Sequence, residues 1–369
     1  MPVKKLKIGI LFGGPSPEHE VSLVSAQSVV KALNKNKFTS IPIGLTKQGQ
    51  WIIGQPFEDL KKGKIKKSQI VLPPTNFKHR GLLDAQSGKL IQKIDLFFPV
   101  LHGPFGEDGK IQGLLDLSGI PYVASGVLGS SLGMDKVVQK QIYREEGLKT
   151  PKFIYFRHFD WQKNKKNWLE KAFKEIAFPC FVKPANMGSS VGITKVSQKE
   201  NLKKAIEKAF KYDHKVLVEK SIEKAREIET AILGNEDPKV SYPGEIIASG
   251  EFYDYDAKYV DGQSKTLTGI EIPKKVVNEL KILAKKAFIS LNGYGMARAD
   301  FLVKDKEVYI NEINTIPGFT AISMYPKLWQ HEGISYSKLI EELISLAIKR
   351  HKKDQKLKLS YQPKNDWYK

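Results

Sequence analysis

Near the C-terminal end of the chain, residues 309–318 read YINEINTIPG, and within them an acid and an amide, Glu312 and Asn314, stand two positions apart. Side chains alternate faces along a strand, so both project to one side while Ile313 points to the other. Just upstream, GMARADFLVKDKEVYI supplies a second apolar run and a polar turn around Lys304–Lys306, the pattern of a hairpin. Its first strand carries Arg298 and Asp300, again two apart. If the strands pair, Asp300, Glu312 and Asn314 converge with Arg298 beside them. An oxygen-only set suits magnesium, completed by water and nucleotide phosphates, rather than zinc. Mutual hydrogen bonding at a strand end is the plainer reading of any one of them. Three beside an arginine, in a chain with a phosphate-type loop, favour the metal.

That loop is NMGSSVG, residues 186–192, which follows Lys183 at the end of an apolar strand. Backbone amides of a glycine-serine loop can approach phosphate oxygens, and a lysine at the strand end can neutralise them. It is not a Walker loop, since GxxxxGK[ST] occurs nowhere, and FGGPSPEHE is not a GxGxxG fingerprint. Taken alone, the loop also reads as an ordinary hairpin. The stretch FYDYDAKYV, residues 252–260, is either a lid that excludes water or surface packing of aromatic bodies with wet tips.

The elements that must position these groups begin with LKIGILFGG (6–14), a buried strand ending in a tight turn. A helical pattern over 20–33, a strand at 39–46, the strand DLFFPVLHG (95–103) and a helix near 108–118 follow. Strands alternating with helices indicate a parallel sheet, whose functional loops lie at the carboxyl ends of strands. Glu18 and His102 fall there. From about 128 a helix carries Met134, Asp135 and Lys136, and FPCFVKPANMGSSVGITKV reads as strand, loop and strand. A helix at 199–211 leads to the strand KVLVEK (215–220). The remainder is strand-rich, with helices at 275–290 and about 335–350, before a polar, loosely held tail. The lysine-, glycine- and proline-rich insert at 51–94 has no assignable chemistry. The expected units are 1–127, 128–220 and 221–350, with the tail at 351–369.

At 369 residues the chain exceeds the size at which single cores usually divide. Cys180 is the only cysteine, so no intrachain disulfide forms and a reducing, cytoplasmic location is expected. The apolar start is too short for a signal peptide, and no run approaches a membrane span. The net charge of +20 is nearly all lysine, with arginine only at 80, 144, 157, 226, 298 and 350. Base reading uses arginine forks and aromatic platforms, and no cluster of either is present, so no nucleic-acid partner is expected. A basic field still attracts small anions such as nucleotides.

FGGPSPEHEVSL, HGPFGEDG, GMDK, FVKPANMGSSVG, FYDYDAKY, ARADF and NEINTIPG, taken in order from about residue 7 to 345, resemble the D-alanine–D-alanine ligases of the ATP-grasp superfamily. The resemblance implies a three-domain ATP-grasp fold, α/β with an α+β C-terminal part and an N-terminal parallel-sheet, Rossmann-like domain. It implies ATP and magnesium (two ions, with manganese as a substitute), D-alanine as substrate and a homodimer. The first D-alanine would form an acyl phosphate, which the amine of the second attacks, for peptidoglycan synthesis. Carried over by position, Glu18, Ser189 and Tyr259 would be a hydrogen-bonded trio over the site, with Arg298 and the amides near Gly318 as oxyanion donors. Glu18 would also hold the first ammonium, with His102 nearby. Ser323 and Met324 would meet the second D-alanine. Lys136, Lys183, Ser190 and Lys258 would meet phosphate, Glu219, Lys220 and Ile222 the adenine hinge, and Glu227 the ribose. Asp300, Glu312 and Asn314 would hold the metal. Relatives that make depsipeptides tend to lack the tyrosine at 259, so its presence favours an amine acceptor. The rival readings are another carboxylate–amine or depsipeptide ligase, and a nucleotide-binding regulator without catalysis.

Overall fold

The computed structural model describes residues 4–73, 75, 79–247, 265–358 and 360–361. Three sheets are present among them. The first is built on β1 (Leu6–Gly13), β2 (Phe38–Leu45) and β7 (Leu96–Pro99), and β1 lies parallel between the other two. Parallel neighbours need a crossover, and the helix His19–Ala32 provides it between β1 and β2. The near-continuous apolar run of β1 follows from this, since Ile8, Ile10, Leu11 and Phe12 are wholly buried.

The 51–94 insert extends this sheet. Its strands β3 (Trp51–Ile53), β4 (Gln69–Leu72), β5 (Gly81–Asp84) and β6 (Leu90–Lys93) add antiparallel onto β2, giving the order β6-β5-β4-β3-β2-β1-β7.

The second sheet is antiparallel, in the order β10-β9-β11-β8, from β8 (Phe153–Arg157), β9 (Cys180–Pro184), β10 (Thr194–Val196) and β11 (Lys215–Lys220). The third contains β12 (Arg226–Gly234), β13 (Lys239–Val240), β14 (Gly244–Ile247), β15 (Lys265–Leu267), β16 (Gly295–Lys304) and β17 (Glu307–Asn314). Its inner face packs on the helix Lys274–Ser290, where Leu280, Ala284, Ala287 and Phe288 are fully buried with Ile310 and Ala299.

The final helix, Tyr336–Asp354, runs past the expected end at about 350. By sequence it belongs to the C-terminal unit, but Leu339, Ile340, Leu343 and Ile344 share one core with Ile8, Ile10 and Phe98 of the first sheet. Arg350 clamps it there, donating to the carbonyls of Tyr122 (3.0 Å) and Ala124 while its guanidinium lies over the Tyr122 ring. The last helix therefore ties the two ends of the chain together. The cleft between the second and third sheets faces the carboxyl-end loops of the first.

Candidate active site

The hairpin of β16 and β17 has the expected register. Arg298 lies opposite Asn314 and Asp300 opposite Glu312, with a bulge just beyond at Phe301. Residues directly opposite share a face, so all four side chains project together. Arg298 grips Asp300 through two N–H donors, each at 2.7 Å, and its Nε lies 3.2 Å from Glu229 of β12. Asn314 donates to the same Asp300 at 3.0 Å. Burial opposes the guanidinium charge, but Asp300 and Glu229 outweigh it and hold its pKa well above the ordinary value.

Directly against β17 packs the helix Lys136–Glu145. Asp135 caps it, accepting from the amides of Val137 and Val138 at 3.0 and 3.1 Å. Gln139 bolts it to β17 by accepting from the Ile313 amide at 2.9 Å and donating to the Ile313 carbonyl at 3.2 Å. So held, Lys136 pairs with Glu312 at 2.8 Å and donates to the Met187 carbonyl at 3.0 Å. On the second sheet, Lys183 and Glu219 project from one face and meet at 2.5 Å.

Lys136, Lys183, Ser190, Glu219, Lys220, Ile222 and Glu227 all line a cleft of about 840 Å³, counted to its open mouth, together with Arg298, Asp300 and Glu312. Phe181, Ile193, Phe301 and Leu302 supply apolar walls. Lysines set beside apolar walls, with Lys183 Nζ 5.6 Å from the centre of the Phe181 ring, suit a nucleotide's phosphates and base. Lys258 and Tyr259, with the aromatic stretch 252–260, lie outside the described residues.

The glycine-serine loop places Ser189 and Ser190 in the left-handed region, at φ 45° and 59°. Such backbone persists only where surroundings hold it. Here Asn186 is tied through its amide and side chain to Asp213, at 2.7 and 2.9 Å. At the loop's tip the Ser189 hydroxyl donates to Glu18 in a short bond that joins the second sheet to the first. Glu18 is 6% exposed and wedged between two glycines, since a Cβ on Gly103 or Gly188 would come within 2.4 or 2.5 Å of its Oε2.

His102 lies beside this group with both ring nitrogens engaged by protein. Nδ1 donates to the Ile316 carbonyl at 3.1 Å, so Nε2, at 3.0 Å, accepts from the Ser25 hydroxyl. Burial lowers its pKa, in keeping with this neutral form. Its bonds therefore anchor the turn that leads to Gly318. Ser323 caps its own loop, accepting from the Thr320 amide at 3.1 Å, and opens the helix Met324–His331, whose first turn has no side-chain cap. The Met324 side chain is buried in the core, so only its backbone is offered to a ligand.

Several charged residues at the site were not singled out from the sequence. Glu107, inside HGPFGEDG, accepts from the amides of Gly103 (2.8 Å) and Ile316 (2.9 Å), and burial with the nearby Glu18 charge pushes its pKa up to about 8. Glu229 completes the Arg298 cluster. Lys140, one turn beyond Lys136, pairs with Glu219 at 2.5 Å. The signal available for Lys140 was a polar residue recurring at helical spacing on the buried face of its helix.

Two sheets closing on a lysine-lined, apolar-walled cleft, with a hard-oxygen cluster on one wall and a parallel-sheet layer reaching over it, make up the ATP-grasp architecture. Residues 7–125 match the family described as "D-ala D-ala ligase N-terminus" and residues 142–345 the one described as "D-ala D-ala ligase C-terminus". The chain belongs to the D-alanine–D-alanine ligase family. It is 49% identical over 363 residues to the D-alanine–D-alanine ligase of Bacillus cytotoxicus, covering 96% of this chain and 99% of that one. Among solved structures, the VanG D-Ala:D-Ser ligase of Enterococcus faecalis aligns at a TM-score of 0.83 with 36% identity, over 93% of this chain and all of that one. The D-alanine–D-alanine ligase of Coxiella burnetii aligns at 0.83 with 34% identity, over 96% and 97%.

Proposed function

We propose that this chain joins two D-alanines at the expense of ATP. The observation that carries the reading is the Ser189–Glu18 bond, which joins the glycine-serine loop, whose Ser190 lines the lysine-rich cleft, to the first sheet's carboxyl-end loop in a chain of the ligase family. A carboxylate oxygen of the first D-alanine attacks the γ-phosphorus and ADP leaves, giving an acyl phosphate. The amine of the second attacks its carbonyl carbon, phosphate departs, and the nitrogen loses a proton.

Carboxylate and triphosphate repel one another, so attack needs dense positive charge, which Lys136 and Lys183 bring. Asp300, Glu312 and Asn314 offer a hard-oxygen set that fits magnesium, and they would hold it. When bound, the metal would neutralise phosphate charge; the site would take two ions, and manganese would substitute for magnesium. Arg298 and the Gly318 turn act on the developing oxyanion, where each fixed donor is worth on the order of 3 kcal/mol. Glu18 takes the first ammonium, His102 and Glu107 hold the Gly103 and Ile316 loops in place, and the Ser323–Met324 helix start receives the second carboxylate. By position in the family, Lys258 takes a phosphate and Tyr259 joins Glu18 and Ser189. Glu219, Lys220 and Ile222 take the base and Glu227 the ribose. The protein works in the cytoplasm as a homodimer, in the synthesis of peptidoglycan precursor.

The test is phosphate release with ATP, magnesium and D-alanine, with the product identified by mass. D-alanyl-D-alanine, absent with L-alanine, is the expected result. Because one structural neighbour is a D-Ala:D-Ser ligase, D-serine and D-lactate are offered as competing second acceptors. Exclusive use of either would refute the substrate assignment while leaving the ligase reading in place.

A further inference from the structure

Lys140 is a buried charge at the cleft to which the proposed reaction gives no task. It is 1% exposed, and its ammonium lies 2.5 Å from Glu219 Oε1 and donates to the Asn311 carbonyl at 3.0 Å. Asn311 is the extra residue of the β16–β17 bulge, which turns it out of the regular ladder register. Lys183 takes the other oxygen, Glu219 Oε2, at 2.5 Å. One carboxylate, 2% exposed, thus bridges two ammoniums.

The two lysines are not equivalent. Lys183 lines the cleft beside Lys136 and Ser190, whereas Lys140 is sealed behind Glu219. A phosphate chain entering the cleft competes with Glu219 for the Lys183 ammonium. Once Lys183 turns to phosphate, a Glu219 without another counter-ion would be an unpaired buried carboxylate, and such a group takes up a proton.

We propose that Lys140 is the standing counter-ion of Glu219, keeping that carboxylate ionised and in place while Lys183 moves between Glu219 and the phosphates of a bound nucleotide. The inference rests on the nucleotide reading of the cleft. Lys140 is a positioning residue, acting through Glu219 and Lys183. Burial raises the Glu219 pKa, but Lys140 and Lys183 together pull it below the ordinary carboxylate value. Among the described residues, the other charges around the group are Lys136 of the Lys140 helix, Lys220 next to Glu219, Glu312 of β17, Glu227 and Glu229 of β12, and Arg298 and Asp300 of β16.

The experiment is calorimetric titration of the full chain with a magnesium complex of non-hydrolysable ATP analogue, in two buffers of different ionisation enthalpy. The native chain is expected to bind with almost no proton uptake. Lys140→Met is expected to bind at least about tenfold more weakly at pH 7.5 and to take up about one proton per nucleotide, so that its affinity falls by up to about tenfold for each further pH unit. A change of shape alone would not move protons. Lys140→Arg, which keeps the charge, should behave as native in proton count. Lys140→Met combined with Glu219→Gln removes both charges of the buried pair; Glu219 also meets the base, so this variant is titrated at analogue concentrations raised to offset the lost contact, where it should bind without uptake. Native affinity and no uptake in Lys140→Met would overturn the proposal, as would uptake that persists in the double variant. Failure of the native chain to bind the analogue would overturn the nucleotide reading as well, an outcome distinct from a defect confined to Lys140.

Discussion

Arg298→Met removes the guanidinium while keeping an unbranched stem, and the structure gives its consequences in two separate quantities. The guanidinium makes two 2.7 Å hydrogen bonds to Asp300 and lies 3.2 Å from Glu229, whose side chains are 15% and 8% exposed. Breaking a buried pair by removing one partner costs about 3–5 kcal/mol, because an uncompensated charge stays behind. At roughly 2–4 °C per kcal/mol for a domain of a couple of hundred residues, the melting temperature should fall by roughly 10 °C. The second quantity is the rate: loss of one oxyanion donor lowers kcat about 10²–10³-fold, or roughly 3–4 kcal/mol. Arg298→Lys separates the two. It keeps a positive charge between the acids and should recover much of the stability, yet little of the rate, because an ammonium lacks the planar fork. Thermal unfolding by circular dichroism and ADP release at saturating ATP and D-alanine read the two effects independently. A folded Arg298→Met enzyme with kcat within about threefold of native would refute the donor role. A large melting shift with that unchanged rate would leave Arg298 as a structural clamp only.

Three further outcomes follow from the geometry. Gly103→Ala should raise KM for the first D-alanine while the protein stays folded. Its Cβ would press on Glu18 Oε2 at 2.4 Å from a backbone at φ 71°, so an unaltered KM would count against Glu18 as the ammonium site. Glu107 has a folded pKa of about 8 against 4.5 for the free acid, so its contribution to stability is fully present below pH 4.5 and is lost as pH rises towards 8. Denaturant midpoints should therefore fall across that window in the native chain and flatten in Glu107→Gln, and identical pH profiles would contradict the assignment. Leu343→Ala, in the core shared by the first sheet and the last helix, should cost about 2–5 kcal/mol by chemical denaturation, and a loss under about 1 kcal/mol would mean that the helix is not part of that core.

How much of this was legible beforehand depends on the range of the interaction. The hairpin cluster could be read because strand periodicity is local: two residues apart means one face, and a polar turn between two apolar runs brings Arg298, Asp300, Glu312 and Asn314 together without knowledge of the rest. The parallel character of the first sheet was legible from the alternation of buried strands and helices. The ordered motifs carried the family, and with it Glu18 and Ser189, whose 171-residue separation no local rule spans.

Tertiary structure alone decided the partners. Glu229 reaches Arg298 across a sheet ladder, Lys140 reaches Glu219 between a helix and a different sheet, and the last helix joins the core of the first strands. Tertiary packing also gave His102 to the Ile316 and Ser25 contacts, put the Met324 side chain in the core, and turned the 51–94 insert into four more strands of the first sheet. The physical reason is that period and turn chemistry are properties of neighbours along the chain, whereas the state of a buried charge depends on which opposite charge the packing of layers brings within a few ångströms.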